Sequence, residues 1–216
     1  RDRIRIVVPV SPPALPRRSR ADIRGRLGVS DDTPLVSCVA RLHPQKDLPT
    51  LLRAFAGVRQ QHPDLVLVLV GRRGWLYEPI FEAVEMLRLG EAVRHIEDAA
   101  DADLPPLFDG ATAFAYPSLY EGFGLPVLEA LARGTPAVIA DTSSLPEVAG
   151  DAALRHPPGD SDALTGALLR LIEDATLRAD LARRGPERAA SFTWERAARQ
   201  TLAAYREARA ERSGGR

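Results

Sequence analysis

The run LVLVLV at residues 65–70 holds six consecutive apolar side chains. A strand with one wet face alternates apolar and polar residues, whereas a strand covered on both faces does not. The run is too short for a helix, so it reads as a buried parallel strand. Parallel strands cannot be joined by a tight hairpin. Each needs a crossover connection of about a dozen residues or more, usually a helix. The chain must therefore supply further strands with helices between them.

It does so along most of its length. LVSCVA (35–40), AVRHI (92–96), ATAFAYP (111–117), PAVIA (136–140) and AAL (152–154) read as five more strands. Between them, LPTLLRAFAGVRQQ (48–61) puts Leu48, Leu51, Leu52, Phe55 and Val58 on one helical stripe. Asp47 is placed to cap that helix and Pro49 suits its first turn. Ile80–Leu89, residues 121–133 and Asp160–Ile172 are three further helices, with Gly90 and Gly134 closing the first two. LPPLF (104–108) makes a short helix capped by Asp103, and the tail holds helices over 174–185 and 193–211, the last capped by Thr193. The fold class expected is α/β: a Rossmann-like, doubly wound, parallel six-stranded sheet with C-terminal helices. Right-handed crossovers place all strand C-terminal ends on one edge, where ligands bind.

Residues 1–32 differ from the rest. VSPPALPRRSRADIRGRLGVSDDTP (10–34) is rich in Pro and Arg, and only IRIVVPV (4–10) looks like a strand. The expected organisation is a linker over 1–32, a Rossmann-like domain over 33–192, and a C-terminal helix and tail over 193–216. Arginines at 17–26 could meet lipid phosphates at the inner face of a membrane, although a solvated connector explains them as well. Net charge is zero, which gives no sign of a nucleic-acid partner. One cysteine, Cys38 in an apolar run, builds no disulfide framework and points to a reducing, cytoplasmic setting. No apolar run reaches the ~18 residues needed to span a bilayer, and RDRIRIVVPV lacks a signal-peptide pattern.

The polar residues that carry chemistry fall where the strands end. Arg41 and Lys46 follow the first strand, and a planar guanidinium with a compact ammonium suits a diphosphate. Gly71 opens a turn after the second strand. Gly122 and Gly124 precede a helix, whose N-terminal amides make an anion site. Glu121 and Glu129 lie about 12 Å apart along a helix, turned by about 80°, so they suit two parts of one long ligand rather than an acid–base pair. Hydroxyls at two places with phosphate between them describe a nucleotide-sugar.

YPSLYEGFGLPVLEALARGTPAVIADTSSLPEVAGDAAL (116–154) resembles the signature region of the retaining glycosyltransferases of family 4, the glycosyl transferases group 1. Glu121 and Glu129 match their Glu-x7-Glu motif. ARLHPQKDLPTLLRAF (40–55) resembles their Gly-Arg…Lys-Gly segment, LVLVLVGRRGW (65–75) their second strand, and FTWERAARQTLAAYREA (192–208) their closing helices. The resemblance covers about 33–210 and implies the C-terminal donor-binding half of a two-domain GT-B enzyme. It implies retaining transfer of a hexose, mannose among the candidates, from a GDP- or UDP-linked donor without a metal cofactor. Arg41 and Lys46 would neutralise the diphosphate, Glu121 would contact the donor sugar, and Glu129 the ribose hydroxyls. Backbone at Gly122, Phe123, Gly124 and Leu125 would line sugar and phosphate, with Gly71 nearby and the base near His95–Ile96. The acceptor, a glycan or lipid-linked glycan, would bind a separate N-terminal domain. Ala40, Asp47 and Glu97 or Asp98 stand where the pattern expects glycines.

A binding module without activity of its own is the alternative. A phosphorylase would need a second lysine for pyridoxal phosphate, and Lys46 is the only one. Asp101-Ala-Asp103 mimics a metal motif but reads as a helix start. His43 is expected in a solvated loop, with an approach to the ligand as the alternative, His62 and His156 on the surface, Trp75 and Tyr77 in packing, and Trp194 as the anchor of the last helix.

Overall fold

The computed structural model describes residues 20–30 and 32–214. The strand expected over 4–10 lies outside them. Six strands, β1 (Leu35–Val39), β2 (Val66–Val70), β3 (Val93–Ile96), β4 (Ala113–Tyr116), β5 (Ala137–Ala140) and β6 (Ala153–His156), form one parallel sheet in the order β3-β2-β1-β4-β5-β6. The order reverses direction between β1 and β4, where Val36 pairs with Leu67 on one side and Ala113 on the other. The crossovers on either side of that seam lie on opposite faces of the sheet. They leave a crevice at the C-terminal ends of β1 and β4.

The helices are α1 (Arg20–Leu27), α2 (Leu48–Arg59), α3 (Glu78–Met86), α4 (Leu104–Asp109), α5 (Leu125–Ala132), α6 (Leu145–Ala149), α7 (Ser161–Glu173), α8 (Ala175–Ala189) and α9 (Trp194–Gly214). In β2, Leu67 and Leu69 join the larger core beneath α2, α3 and α7. Val66, Val68 and Val70 face a smaller cluster with Ile23 and Leu27 of α1 and Leu107 of α4. The apolar run is apolar on both sides because both sides are covered. Burying each such side chain stabilises the fold by about 1.5–3 kcal/mol.

Several expectations need correction. The described part of the stretch read as a linker holds α1, which packs on α4 and fills the core under the valines of β2. Its Arg24 is buried and donates from Nη1 to the Gly110 carbonyl at 2.8 Å and from Nε to the Ser30 carbonyl at 3.0 Å. The short helix α6 was not anticipated. α5 begins at Leu125 rather than 121, because Gly124 adopts φ +104, and Pro126 then suits the first turn. A Cβ at Gly124 would sit 2.7 Å from the Leu145 Cδ2 of α6, and φ +104 strains any L side chain there.

In the C-terminal part Thr193 caps α9 as expected, while Asp160 and Asp174, expected inside their helices, stand just before them as caps. Asp160 accepts from the Ala163 amide and Asp174 from the Leu177 amide, each at 2.8 Å, and Thr193 accepts from the Arg196 amide at 3.2 Å. Trp194 does not anchor α9: it is 68% exposed, and Leu202 and Tyr205 are exposed with it. Among the described residues no helix is long and apolar enough to cross a membrane.

Candidate functional site

A cleft of about 600 Å³ opens at the seam between β1 and β4. One wall is the loop after β1, with Arg41, His43 and Lys46. The floor is Val39, Val70 and Tyr116 at the strand ends. The opposite wall is Glu121 together with Phe123 to Pro126 at the start of α5. The rim beyond β3 carries Glu97 and Asp98.

Gly71 decides how close the walls stand. It sits at φ +142, and a Cβ there would fall 2.2 Å from the Ala40 carbonyl oxygen. Only glycine lets the chain after β2 run against the loop after β1.

Lys46 is the only lysine in the chain, and its ammonium is almost fully committed. Nζ forms an ion pair with the Glu121 carboxylate. It also donates to the Tyr116 hydroxyl at 3.2 Å and lies 5.5 Å from the centre of that ring. The two charged side chains are only 13% and 12% exposed. Tyr116 itself is buried, and burial first, then the Glu121 charge, pushes its phenol far above the ordinary range. It stays a neutral hydrogen-bonding partner.

The loop carrying Glu121 is tied down from the next strand. The Ser143 hydroxyl accepts from the Glu121 amide at 3.0 Å. The Ser144 hydroxyl donates to the carbonyls of Glu121 and Phe123 at 2.9 and 2.8 Å. The sequence reading missed Ser143, Ser144 and Tyr116. The serine pair just after an apolar run at the ligand edge was the signal for the first two.

Asp47 corrects another expectation. Its side chain caps nothing. Its backbone is left-handed (φ 46, ψ 40), a conformation open to glycine and, at some cost, to Asp. That explains why the resembling pattern has glycine there. Asp47 does not line the cleft. Burial raises its carboxyl, with Thr50 and the Arg53 charge opposing, and Oδ2 is buried without a hydrogen-bond partner. His156 was expected at the surface but is 1% exposed; burial holds its imidazole below the ordinary value.

The other residues expected at the site divide. Phe123, Gly124, Leu125, Arg41 and Gly71 line the cleft together with Lys46 and Glu121. Gly122 is exposed just outside it. Glu129, one turn into α5, is partly buried and does not line the cleft. Burial first, then nearby Asp101, raises its carboxyl. Ile96 packs into the smaller core, and His95 turns away, its Nε2 2.9 Å from the Gly71 carbonyl oxygen and its ring edge-on to Phe81.

Further residues have moved from their expected roles. His43 is not freely solvated: it lines the cleft, stacks on Trp75 at 6.0 Å and holds a buried Nδ1 with no partner. Trp75 is 62% exposed rather than packed inside, whereas Tyr77 does pack, edge-on to Phe81. Asp103 bonds Arg26 at 2.8 Å. Among the described residues no group of three or more His, Cys, Asp or Glu side chains is arranged to hold a metal ion.

The doubly wound sheet with a cleft at its switch point is a Rossmann-like fold, and similarity to known proteins identifies it with the C-terminal domain of GT-B glycosyltransferases. The family profile "Glycosyl transferases group 1" matches residues 19–188, and the chain belongs to that family. The O-antigen chain mannosyltransferase B of Escherichia coli is 38% identical over 172 residues, covering 78% of this chain and 44% of that protein. A D-inositol 3-phosphate glycosyltransferase of Salinispora tropica is 37% identical over 214 residues, covering 92% and 44%. Sucrose-phosphate synthase from Thermosynechococcus elongatus superposes with a TM-score of 0.77 at 31% identity, over 90% of this chain and 50% of that one. HepE of Anabaena, in complex with UDP and glucose, gives 0.73 at 27%, over 80% and 47%. The chain spans about half the length of the curated relatives it matches.

Proposed function

We propose that this chain is the donor-binding half of a retaining family 4 glycosyltransferase that takes a hexose from a GDP- or UDP-linked donor. The observation that carries the reading is the cleft at the β1/β4 seam. In it Arg41 and Lys46 face the start of α5, with Glu121 between them and the helix. Arg41, exposed in the loop after β1, offers a guanidinium to phosphate oxygens. Lys46 adds a compact charge and stabilises the diphosphate as it leaves. Glu121 accepts from sugar hydroxyls. Glu129 serves the ribose, its carboxylate accepting from the hydroxyls. For Glu129 to serve it, the ribose must reach past Leu125 along α5. The mannosyltransferases among the relatives support mannose as the hexose, and the UDP complex of HepE supports a nucleotide donor. No metal is needed in this scheme. The acceptor, a glycan or lipid-linked glycan at the cytoplasmic face of a membrane, binds a second, N-terminal domain.

Calorimetric titration with UDP, GDP and ADP tests the reading. One nucleotide should bind, and Lys46→Ala and Glu129→Ala should both weaken it. A folded chain that binds none of the three refutes it.

A further inference from the structure

We propose that Glu121 makes the site discriminate a sugar-bearing nucleoside diphosphate from the bare diphosphate, by competing with the bare one for Lys46. The inference rests on the donor-site reading above and assigns Glu121 a second task within it.

The ammonium of Lys46 is held by two partners within the protein, the Glu121 carboxylate and the Tyr116 hydroxyl. Both charged side chains are largely withdrawn from water. The backbone at Glu121 and Phe123 is held by hydrogen bonds to Ser143 and Ser144, which a movement of the loop would have to break. An anion seeking the only lysine in the chain therefore meets a carboxylate first.

Two ligands present different problems. A bare diphosphate can take Lys46 only by pulling it from Glu121. That leaves a nearly buried carboxylate without its cation and beside a multiply charged anion, which is a costly arrangement. A sugar diphosphate carries one negative charge less on its terminal phosphate, because that oxygen is esterified. It also brings hydroxyl donors. The carboxylate that gives up Lys46 can accept those hydroxyls instead, so its loss is offset. Arg41 makes no ion pair among the described residues and contributes to both ligands alike. Glu121 thus penalises the product of transfer and is reconciled to the donor. Once the sugar has left, the ion pair with Lys46 re-forms and helps expel the diphosphate.

The test measures the affinities of UDP against UDP-glucose, and of GDP against GDP-mannose, for the 216-residue chain and its Glu121→Gln variant. The amide keeps the shape and removes the charge. Binding of the bare diphosphate should tighten by about tenfold, that of the sugar diphosphate should not tighten, and the preference for the sugar-bearing ligand should fall by about tenfold or more. Glu121→Ala should tighten the bare diphosphate as well, and circular dichroism confirms that each variant is folded. If Glu121→Gln weakens the bare diphosphate or leaves it unchanged, or moves both ligands equally, the inference falls while the donor site stands. If the wild-type chain binds none of the four, the donor-site reading fails and the inference falls with it.

Discussion

Two sides of the cleft carry charges of both signs and handle them differently. At the seam, Lys46 and Glu121 are 13% and 12% exposed, and each is the other's only ion-pair partner among the described residues. On the rim beyond β3, Arg72 pairs with Asp98 at 2.9 Å and Arg73 with Glu97 at 3.4 Å, with exposures between 42% and 78%. Exposed pairs in water are screened and contribute little, while a withdrawn pair responds strongly to any change in its partner. Four charges on the rim should therefore matter less than two at the seam, where the proposed donor site lies.

Breaking the seam should produce the largest effect. Lys46→Ala removes the ammonium and leaves Glu121 alone facing the incoming phosphate. Nucleotide affinity should fall by about 100-fold, read by calorimetry. Next comes the wall that holds the seam narrow. Gly71→Ala forces a Cβ into the Ala40 carbonyl and an L side chain into φ +142, so denaturant titration should show a loss of about 2–4 kcal/mol.

A smaller effect comes from the buried His156 behind the seam. Its folded-state value lies below the ordinary 6.5, with burial as the main cause and the charges of Asp47 and Asp160 opposing it. The unfolded chain then binds the proton more readily. The stability due to neutral His156 is complete above pH 6.5 and is lost as pH falls from 6.5 through the lowered value. Melting temperature should drop between pH 7 and pH 5, and His156→Asn should make that slope shallower. The smallest effect belongs to the rim: Asp98→Ala should shift the melting temperature by less than about 1 °C.

The comparison also shows what could be read in the chain and what could not. Short continuous runs such as 65–70 gave the strands and the parallel sheet, because covering both faces leaves a direct mark on composition. The two ends of the Lys46–Glu121 pair were both found, each beside a strand end. Their mutual contact was not, since the two residues are 75 positions apart and meet only because β1 and β4 become neighbours. α1 was missed for a related reason. Its segment is short, charged and beside a Pro-rich stretch, and its helix is sustained by Ile23 and Leu27 against valines far along the chain. Propensity is a weak guide where tertiary burial decides. His156 and Trp75 went wrong in opposite directions, since burial of a single side chain beside a turn has no periodicity to announce it. Asp47 looked like a helix cap, but its left-handed backbone belongs to the tight turn before α2.

The central claim is that Lys46 is the group on which the nucleotide diphosphate lands. Because the chain has one lysine, labelling lysine side chains with nitrogen-15 gives a single ammonium resonance for nuclear magnetic resonance. Titration with UDP and with GDP should move that resonance in a saturable way for the nucleotide that binds, as the ammonium passes from Glu121 to phosphate. A nucleotide that binds by calorimetry while the Lys46 resonance stays where it was would contradict the account.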